Sequence, residues 1–452
     1  MKCLMLMTAL SIAVLTHVCA SAATLTTLYT FSGGADGANP GAALVPGPRG
    51  SFFSTTVNGG AYGEGTVFQL MAPADGSDNY TLNSLYSFAG GPDGAGPTNL
   101  ISDGAGNLYG VSNLGGGGTA AACIYNGTPV GCGVVFELQP PAVGERAWHE
   151  TVLHAFSGND DGFAPSGLTI FDGRLYGFTW GGSGSGSCTG GCGTVYELTP
   201  PGAGKDEWTY KRLHSFGGRG AADGPFGNPL IDNAGSIYGI AYSGGSTAPS
   251  GCAPFVGCGE VFKLARPAPW SSDWIKSTVW TFDGLDGTGA FNSLSIDGEG
   301  NLYGMTNEGG YPSSNCPAPA GSPAGCGVAF KLERPRFGDG QWTQQILWNF
   351  SGGADSGYPA DSALAMQRNG NLIATTSGTN NAGPGQYGAI VQIVRPDEHQ
   401  TAWKERTLFT FANDANGAVP VGAVVARKDS WYGTTYGYSG VAAAGTVYRV
   451  AP

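Results

Sequence analysis

The sequence predicts an all-β protein, a seven-bladed β-propeller with four antiparallel strands per blade, because three short motifs each recur seven times. The first has the form L-x-x-F and starts at Leu28, Leu85, Leu153, Leu213, Val279, Leu347 and Leu408. The second is a glycine-led strand: GTVFQL (65–70), GVVFEL (133–138), GTVYEL (193–198), GEVFKL (259–264), GVAFKL (327–332), GAIVQI (388–393) and GTVYRV (445–450). The third precedes each of these: SFFS (51–54), NLYG (107–110), RLYG (174–177), SIYG (236–239), NLYG (301–304), NLIA (371–374) and SWYG (430–433). Successive copies lie roughly 60 residues apart, which suits one blade and is too long for a turn of parallel β-helix.

The third period shows the elements in order. SGLTIF, RLYGFTW, GTVYELTP and WTYKRLHSF are rich in β-branched and aromatic residues. They are divided by Asp172-Gly173, by a glycine-rich loop, and by Pro200-Pro201 with Gly202. Gly and Pro are the strongest breaks available to a chain, so four strands are expected. The two ends of the sequence complement each other. The strand from Leu25 to Phe31 has no partners ahead of it, and GTVYRV is a third strand with no fourth. Pairing the first strand with the last blade completes that sheet and leaves no unpaired edges at the ends.

Ahead of the repeats, MKCLMLMTALSIAVLTHVCASAA carries one lysine, an apolar run and Ala20-Ser21-Ala22. That is the layout of a secretory leader, so residues 1–22 are expected to be a cleaved signal peptide and 23–452 a single propeller domain. The chain is therefore expected to be exported, periplasmic or extracellular, and no stretch suits a membrane span. Removing Lys2 takes the formal charge from −12 to −13. Such a balance argues against nucleic acid as a partner, since phosphate contacts need clustered Lys and Arg. Glycine (79) and proline (28) make up nearly a quarter of the chain, but hydrophobic residues at 41% indicate a packed fold. A monomer is expected.

The L-Y-G and V-F/Y-x-L motifs, cleanest at Asn301 to Gly304 and Gly193 to Leu198, resemble the Gloeo/Verruco (GloVer) repeat of exported bacterial proteins. The resemblance covers nearly all the mature chain and implies a surface or secreted tandem-repeat protein. It implies no reaction. Many such proteins finish in an anchoring segment, whereas this sequence stops at Ala451-Pro452.

Eight cysteines outside the leader fall into local pairs: Cys123/Cys132, Cys188/Cys192, Cys252/Cys258 and Cys316/Cys326. Each pair lies between the second and third strands of one blade, in blades two to five. No pair has the C-x2-C spacing of a zinc site, and each blade supplies only two thiols. A C-x-x-C redox pair is also missing. In an oxidising compartment an even, locally paired set reads as disulfides that staple four glycine-rich loops.

Strand direction alternates, so the second-to-third and fourth-to-first loops emerge on one face, called the top. Each fourth-to-first loop places an acid that is expected near the channel mouth: Asp36, Asp93, Asp161, Asp223, Asp286, Asp355 and Asp414. Asp-Gly is a turn dipeptide whose carboxylate caps local N–H groups, and ligand or calcium binding is the other reading. No metal site and no cofactor are predicted, with calcium the option left open by the ring of acids. The same loops carry Phe163, Phe226, Phe291 and Tyr358, while Trp180, Tyr242 and Tyr311 lie at or beyond the ends of second strands. Rigid aromatic platforms beside polar turns suit neutral sugar rings, although such rings can also pack onto neighbouring loops. Two other ladders read as core: Tyr29, Tyr86, His154, His214, Trp280, Trp348 and Phe409 within L-x-x-F, and Trp148, Trp208, Trp274, Trp342 and Trp403 at the start of fourth strands.

Catalytic signatures are weak. The sequence has no H-x-x-H or H-E-x-x-H and no G-x-S-x-G elbow in a strand-to-helix setting, and GAGNLYG opens a strand rather than a nucleotide-binding helix. The favoured expectation is a binding propeller for a polysaccharide or glycan, not an enzyme. Its candidate ligand residues are Phe163, Trp180, Phe226, Tyr242, Phe291, Tyr311 and Tyr358, with Asp161, Asp223, Asp286 and Asp355. The alternatives are a carbohydrate-active hydrolase or lyase using two top-face acids, and an envelope scaffold or protein-interaction module.

Overall fold

The computed structural model describes residues 23–125, 128–182, 191–217, 223–245, 252, 257–317, 324–336, 340–353, 355–360, 363–378, 387–397, 399–437 and 442–451. The leader read over 1–22 lies outside the described residues, as does Cys188. Seven small antiparallel sheets form a seven-bladed β-propeller, and in each the four strands follow one another from the channel outward. Blade three, taken as the type, runs Phe163–Phe171, Arg174–Gly181, Thr194–Thr199 and Thr209–Ser215. The innermost strands depart from it most. Blade one divides that strand into Ala38–Pro40 and Val45–Pro46, and blades five and six reduce it to Ser295–Ile296 and Ala365–Met366.

The motifs that recur in sequence are the contacts that recur between blades. The phenylalanine of L-x-x-F stands edge-on to the aromatic of the next blade's V-F/Y strand: Phe88 on Phe136, Phe156 on Tyr196, Phe216 on Phe262 and Phe282 on Phe330, with centroids 5.0 to 5.4 Å apart. Each such pair adds about 0.5–1.5 kcal/mol beyond the apolar area it buries. The tryptophan that opens a fourth strand lies against the tyrosine slot of the preceding L-Y-G, as in Tyr109 with Trp208 (6.1 Å) and Tyr238 with Trp342 (6.4 Å). The glycine of L-Y-G is required where Tyr196 fills the space beside Gly177, since a Cβ there would come within 2.2 Å of the Tyr196 hydroxyl.

Blade seven meets blade one through the same devices. The N-terminal strand Thr24–Thr30 pairs antiparallel with Thr446–Ala451, supplying the fourth strand of the last sheet. Phe31 then packs on Phe68 at 5.2 Å, and Phe411 of blade six packs on Tyr448 at 5.4 Å. The Thr434 hydroxyl donates to the carbonyl of Ala42 (3.5 Å), much as Thr375 donates to Gly422 (3.2 Å) one blade earlier.

Three disulfides are described, Cys123–Cys132, Cys252–Cys258 and Cys316–Cys326, with Cα separations of 5.1, 5.4 and 5.3 Å. Cys192 is also disulfide-bonded. The sulfurs are buried beneath the loop that leads into the next blade. A Cβ on Gly158 would lie 2.7 Å from the Cys132 sulfur, and one on Gly352 would lie 2.8 Å from that of Cys316. Replacing Cys316 and Cys326 together by serine is expected to cost about 2–3 kcal/mol, because the closed loop is short. Chemical denaturation reads this directly. An unchanged midpoint would mean that glycine turns alone hold the loop.

Candidate functional site

Five of the seven top-face acids bond back to the strand that precedes them. Asp36 accepts from the Tyr29 hydroxyl (3.0 Å) and the Ser32 N–H (2.8 Å), which ties it back to the outer strand. Asp93 takes the Tyr86 hydroxyl (2.6 Å), Asp161 the His154 ring (3.2 Å), Asp286 the Trp280 indole (2.8 Å) and Asp355 the Trp348 indole (3.3 Å). The second position of L-x-x-F is thus a hydrogen-bond donor for the acid seven or six residues later, in addition to being part of the packing. That is why Tyr, His and Trp interchange there. In blade six the slot holds Phe409, which has no donor to offer. A turn whose carboxylate satisfies both the loop N–H and a strand side chain is self-contained. Burial pushes the Asp36 and Asp161 carboxyls up, but the hydrogen bonds from Ser32 and Tyr29, and from His154 and Ser157, bring them below the usual range. Among the described residues no three His, Cys, Asp or Glu side chains come together as a metal site.

Two acids behave differently. Asp223 pairs with the Ser243 hydroxyl, and burial pushes its carboxyl up to about 6. Burial likewise raises Asp286 to about 6, against the pull of hydrogen bonds from the Asp283 N–H and Trp280. A carboxyl whose folded pKa lies above its unfolded value destabilises the fold once it ionises. That penalty is absent below about pH 4 and complete above about pH 6. Replacing Asp223 by Asn is therefore expected to raise the melting temperature relative to the parent more at about pH 7.5 than at about pH 4.5. Equal differences at both ends of the range would contradict the assignment.

Four of the seven predicted aromatics converge. Trp180, from the end of blade three's second strand, stacks on Phe291 of blade five (5.6 Å, 24°) and leans on Tyr242 of blade four (5.6 Å). Tyr242 stacks on Phe291 at 4.2 Å, and Phe226 meets Trp180 and Phe291 edge-on at 6.0 and 5.5 Å. All four rings are half-buried. The group borders a central cavity of about 310 Å³ lined by residues of all seven blades, among them Gly41, Asn99, Ser166, Phe226, Ser293 and Gly422. Across that cavity the Asn99 amide donates to Asn228 (2.8 Å), whose N–H donates to Ser293 (2.8 Å). The Asn99 carbonyl oxygen and the Ser166 hydroxyl are buried there without a hydrogen-bond partner.

The other predicted aromatics stay apart. Phe163 packs beside the Cys123–Cys132 cluster and Tyr358 beside the Cys316–Cys326 cluster, while Tyr311 is 74% exposed. Glu308, which the sequence reading passed over, stands between two phenols. Burial raises Tyr242 and Tyr358, and the Glu308 charge raises both further. The repeat alignment contained a hint. The residue before the Gly-Gly pair is Asn58, Leu114 and Ser243 in other blades and an acid only at Glu308.

These features define a tandem-repeat propeller with an aromatic group at the mouth of its channel. Residues 116–316 match the family described as the Gloeobacter/Verrucomicrobia repeat, a span that runs from the first stapled loop to the last. No curated protein matches the chain. Among solved structures, similarity extends to a gluconolactonase from Xanthomonas campestris, with 13% identity over 78% of this chain and 86% of the other and a TM-score of 0.39. A putative glucose dehydrogenase from Thermus thermophilus gives 14% identity over 95% and 99%, with a TM-score of 0.41. An ulvan lyase gives 10% identity over 91% and 94%, with a TM-score of 0.49. These likenesses concern the fold. Among the described residues no helix is long and apolar enough to cross a membrane.

Proposed function

We propose that this propeller is an exported binding module for neutral carbohydrate, and that Trp180, Phe226, Tyr242 and Phe291 form its platform. The observation that carries the reading is the convergence of four rings from three adjacent blades beside a polar channel mouth. Aromatic faces and edges held rigid by one another offer contact to the apolar faces of a sugar ring at little ordering cost. Asn99 and Ser166 supply hydrogen-bonding groups in the cavity that Phe226 lines, and the Glu308 charge acts on Tyr242 of the platform. The disulfide beneath the loop entering blade five, Cys252–Cys258, supports the platform, since the Thr288 hydroxyl of that loop donates to the Cys258 carbonyl at 3.1 Å. Export agrees with the disulfides and with the leader-like N-terminus.

Catalysis by a pair of top-face acids is less well supported, because most of those carboxylates are occupied by their own turns. Native gel electrophoresis of the mature protein in gels cast with neutral and acidic polysaccharides, followed by sizing of the polymer, separates the readings. Retardation by a neutral polymer that stays intact is the expected result. Shortened polymer would turn the assignment to the acids, and no retardation in any lane would end the carbohydrate reading.

A further inference from the structure

The face opposite the aromatic group carries a second cavity whose charge departs from the repeat. It measures about 320 Å³ and lies where blade seven meets blade one. Its charged walls are Arg49, from the hairpin of blade one, Arg427 and Lys428, from the hairpin of blade seven, and Arg449, from the third strand of blade seven. The corresponding hairpins of blades two to five hold Asp103, Asp172, Asp232 and Asp297, three of which close their own turns by accepting backbone N–H groups. The hairpins of blades six, seven and one carry Arg368, Lys428 and Arg49 instead, and at the seam two of these basic hairpins line one cavity, in a chain of formal charge −12 with 21 Lys and Arg in all.

The cations are positioned by the fold. The Arg427 guanidinium lies over the Phe52 ring at 5.6 Å and against Gly50, where a Cβ would come within 2.9 Å of both its terminal nitrogens. Arg449 is held by a two-pronged pair with Asp78, at 2.6 and 2.9 Å. Both guanidinium groups act on the Tyr80 phenol, which burial and Tyr432 push up and which Arg427 and Arg449 pull back. Asp78 balances one charge, and Asp429, next to Lys428, lies outside the cavity wall. Arg49, Arg427 and Lys428 form no ion pair with a described acid. The larger groove between blades four and five differs, because there Glu299 and Glu333 accompany Lys263, Lys331, Arg334 and Arg336, and Lys331 pairs with Glu333 at 2.9 Å.

We infer that this seam cavity binds a small ligand carrying a tetrahedral oxyanion, a phosphate or sulfate ester group, through Arg49, Arg427 and Lys428. Forked guanidinium donors converging on a recess match such a group in both charge and geometry. A ligand held there contacts the first and last repeats at once, so it binds the closed ring in preference to any state in which the seam has opened, and it stabilises the fold by mass action.

Thermal unfolding of the mature protein in sodium phosphate, sodium sulfate or sodium chloride at equal ionic strength tests this. Phosphate and sulfate are expected to raise the midpoint along a saturating curve while chloride does not. Arg49→Gln combined with Lys428→Gln, both at exposed hairpin positions, is expected to leave the anion-free midpoint in place and weaken the response about tenfold or more. Arg49→Gln alone serves if the double variant folds poorly. Glucose 6-phosphate and glucose 6-sulfate, run against glucose, show whether the ester or the free anion is preferred. Equal shifts in chloride, or an undiminished shift in either variant, would overturn the inference.

Discussion

Replacing Gly445 by alanine is expected to remove roughly 2–5 kcal/mol of stability, made up of about 1–2 for an L-residue in the left-handed region and about 1–3 for overpacking. Gly445 has φ +93°, and a Cβ there would stand 2.4 Å from the Thr435 carbonyl oxygen and 2.5 Å from the Pro40 ring. The proline belongs to the next blade, so the clash falls on the seam between first and last repeats. The same glycine-on-proline contact recurs at Gly65 with Pro97, Gly133 with Pro165, Gly193 with Pro225 and Gly388 with Pro420. At Gly259 and Gly327 the nearest atoms are backbone rather than proline. All seven copies have positive φ and a carbonyl oxygen at or next to the end of the second strand within 2.7 Å of a Cβ, which explains why the strand motif begins with glycine. Gly63 makes the control, since it has φ +88° with no neighbour within 4 Å of a Cβ. Gly63→Ala therefore reports backbone strain alone, and the excess loss in Gly445→Ala measures the inter-blade contact. Urea unfolding of both variants supplies the comparison. Equal losses would mean that the approach of Pro40 contributes nothing.

The repeat made the fold legible, because each motif marks a contact that every blade must make. Leu108, Leu175, Leu302 and Leu372 are buried in the same register, and the aromatics of V-F/Y-x-L are fully enclosed. The site was legible only in part, for a reason of local backbone conformation. Phe226 and Phe291 follow the position held by Pro225 and Ala290, whereas Phe163 and Tyr358 precede Pro165 and Pro359. Ala164 and Tyr358 have positive φ (50° and 45°), so the chain turns there and strand alternation does not set the direction of the ring. Phe226 lines the central cavity with Phe291 against it, while Phe163 and Tyr358 pack on the disulfide clusters at Cys132 and Cys326. The partners of the acids were not legible because the loop bends back. Asp161 reaches the His154 ring seven residues earlier, a hydrogen bond that composition cannot foretell. The seam cavity was hidden by its own irregularity. Arg49 stands where blades two, four and five have Ala105, Ala234 and Glu299, Lys428 stands where blade three has Asp172, and only the ring brings the two hairpins together.

Truncating Phe291 to alanine is expected to weaken polysaccharide retardation about tenfold to a hundredfold, the equivalent of roughly 1–3 kcal/mol. Phe291 and Trp180 each touch the other three rings, and Phe291 is the one with two stacked contacts, on Trp180 and Tyr242, besides the edge of Phe226. Without it Trp180 keeps its contacts with Phe226 and Tyr242, but both stacked faces are lost and the remaining rings must be further ordered at the moment of binding. Phe291→Leu separates shape from stacking, because it keeps most of the apolar volume and none of the π contact. It should unfold close to the parent and still bind weakly. Tyr311→Ala is the matched negative: that ring is 74% exposed and has no ring partner among the described residues, so little change is expected. Asp355→Asn should behave in the opposite way to Phe291→Ala. Its carboxylate is 3% exposed and accepts the Ser351 N–H at 2.8 Å, so the loss falls on stability while binding by the folded fraction persists. If Phe291→Ala binds as the parent does and Asp355→Asn does not, the aromatic group is packing alone and the ligand belongs to the acidic loops.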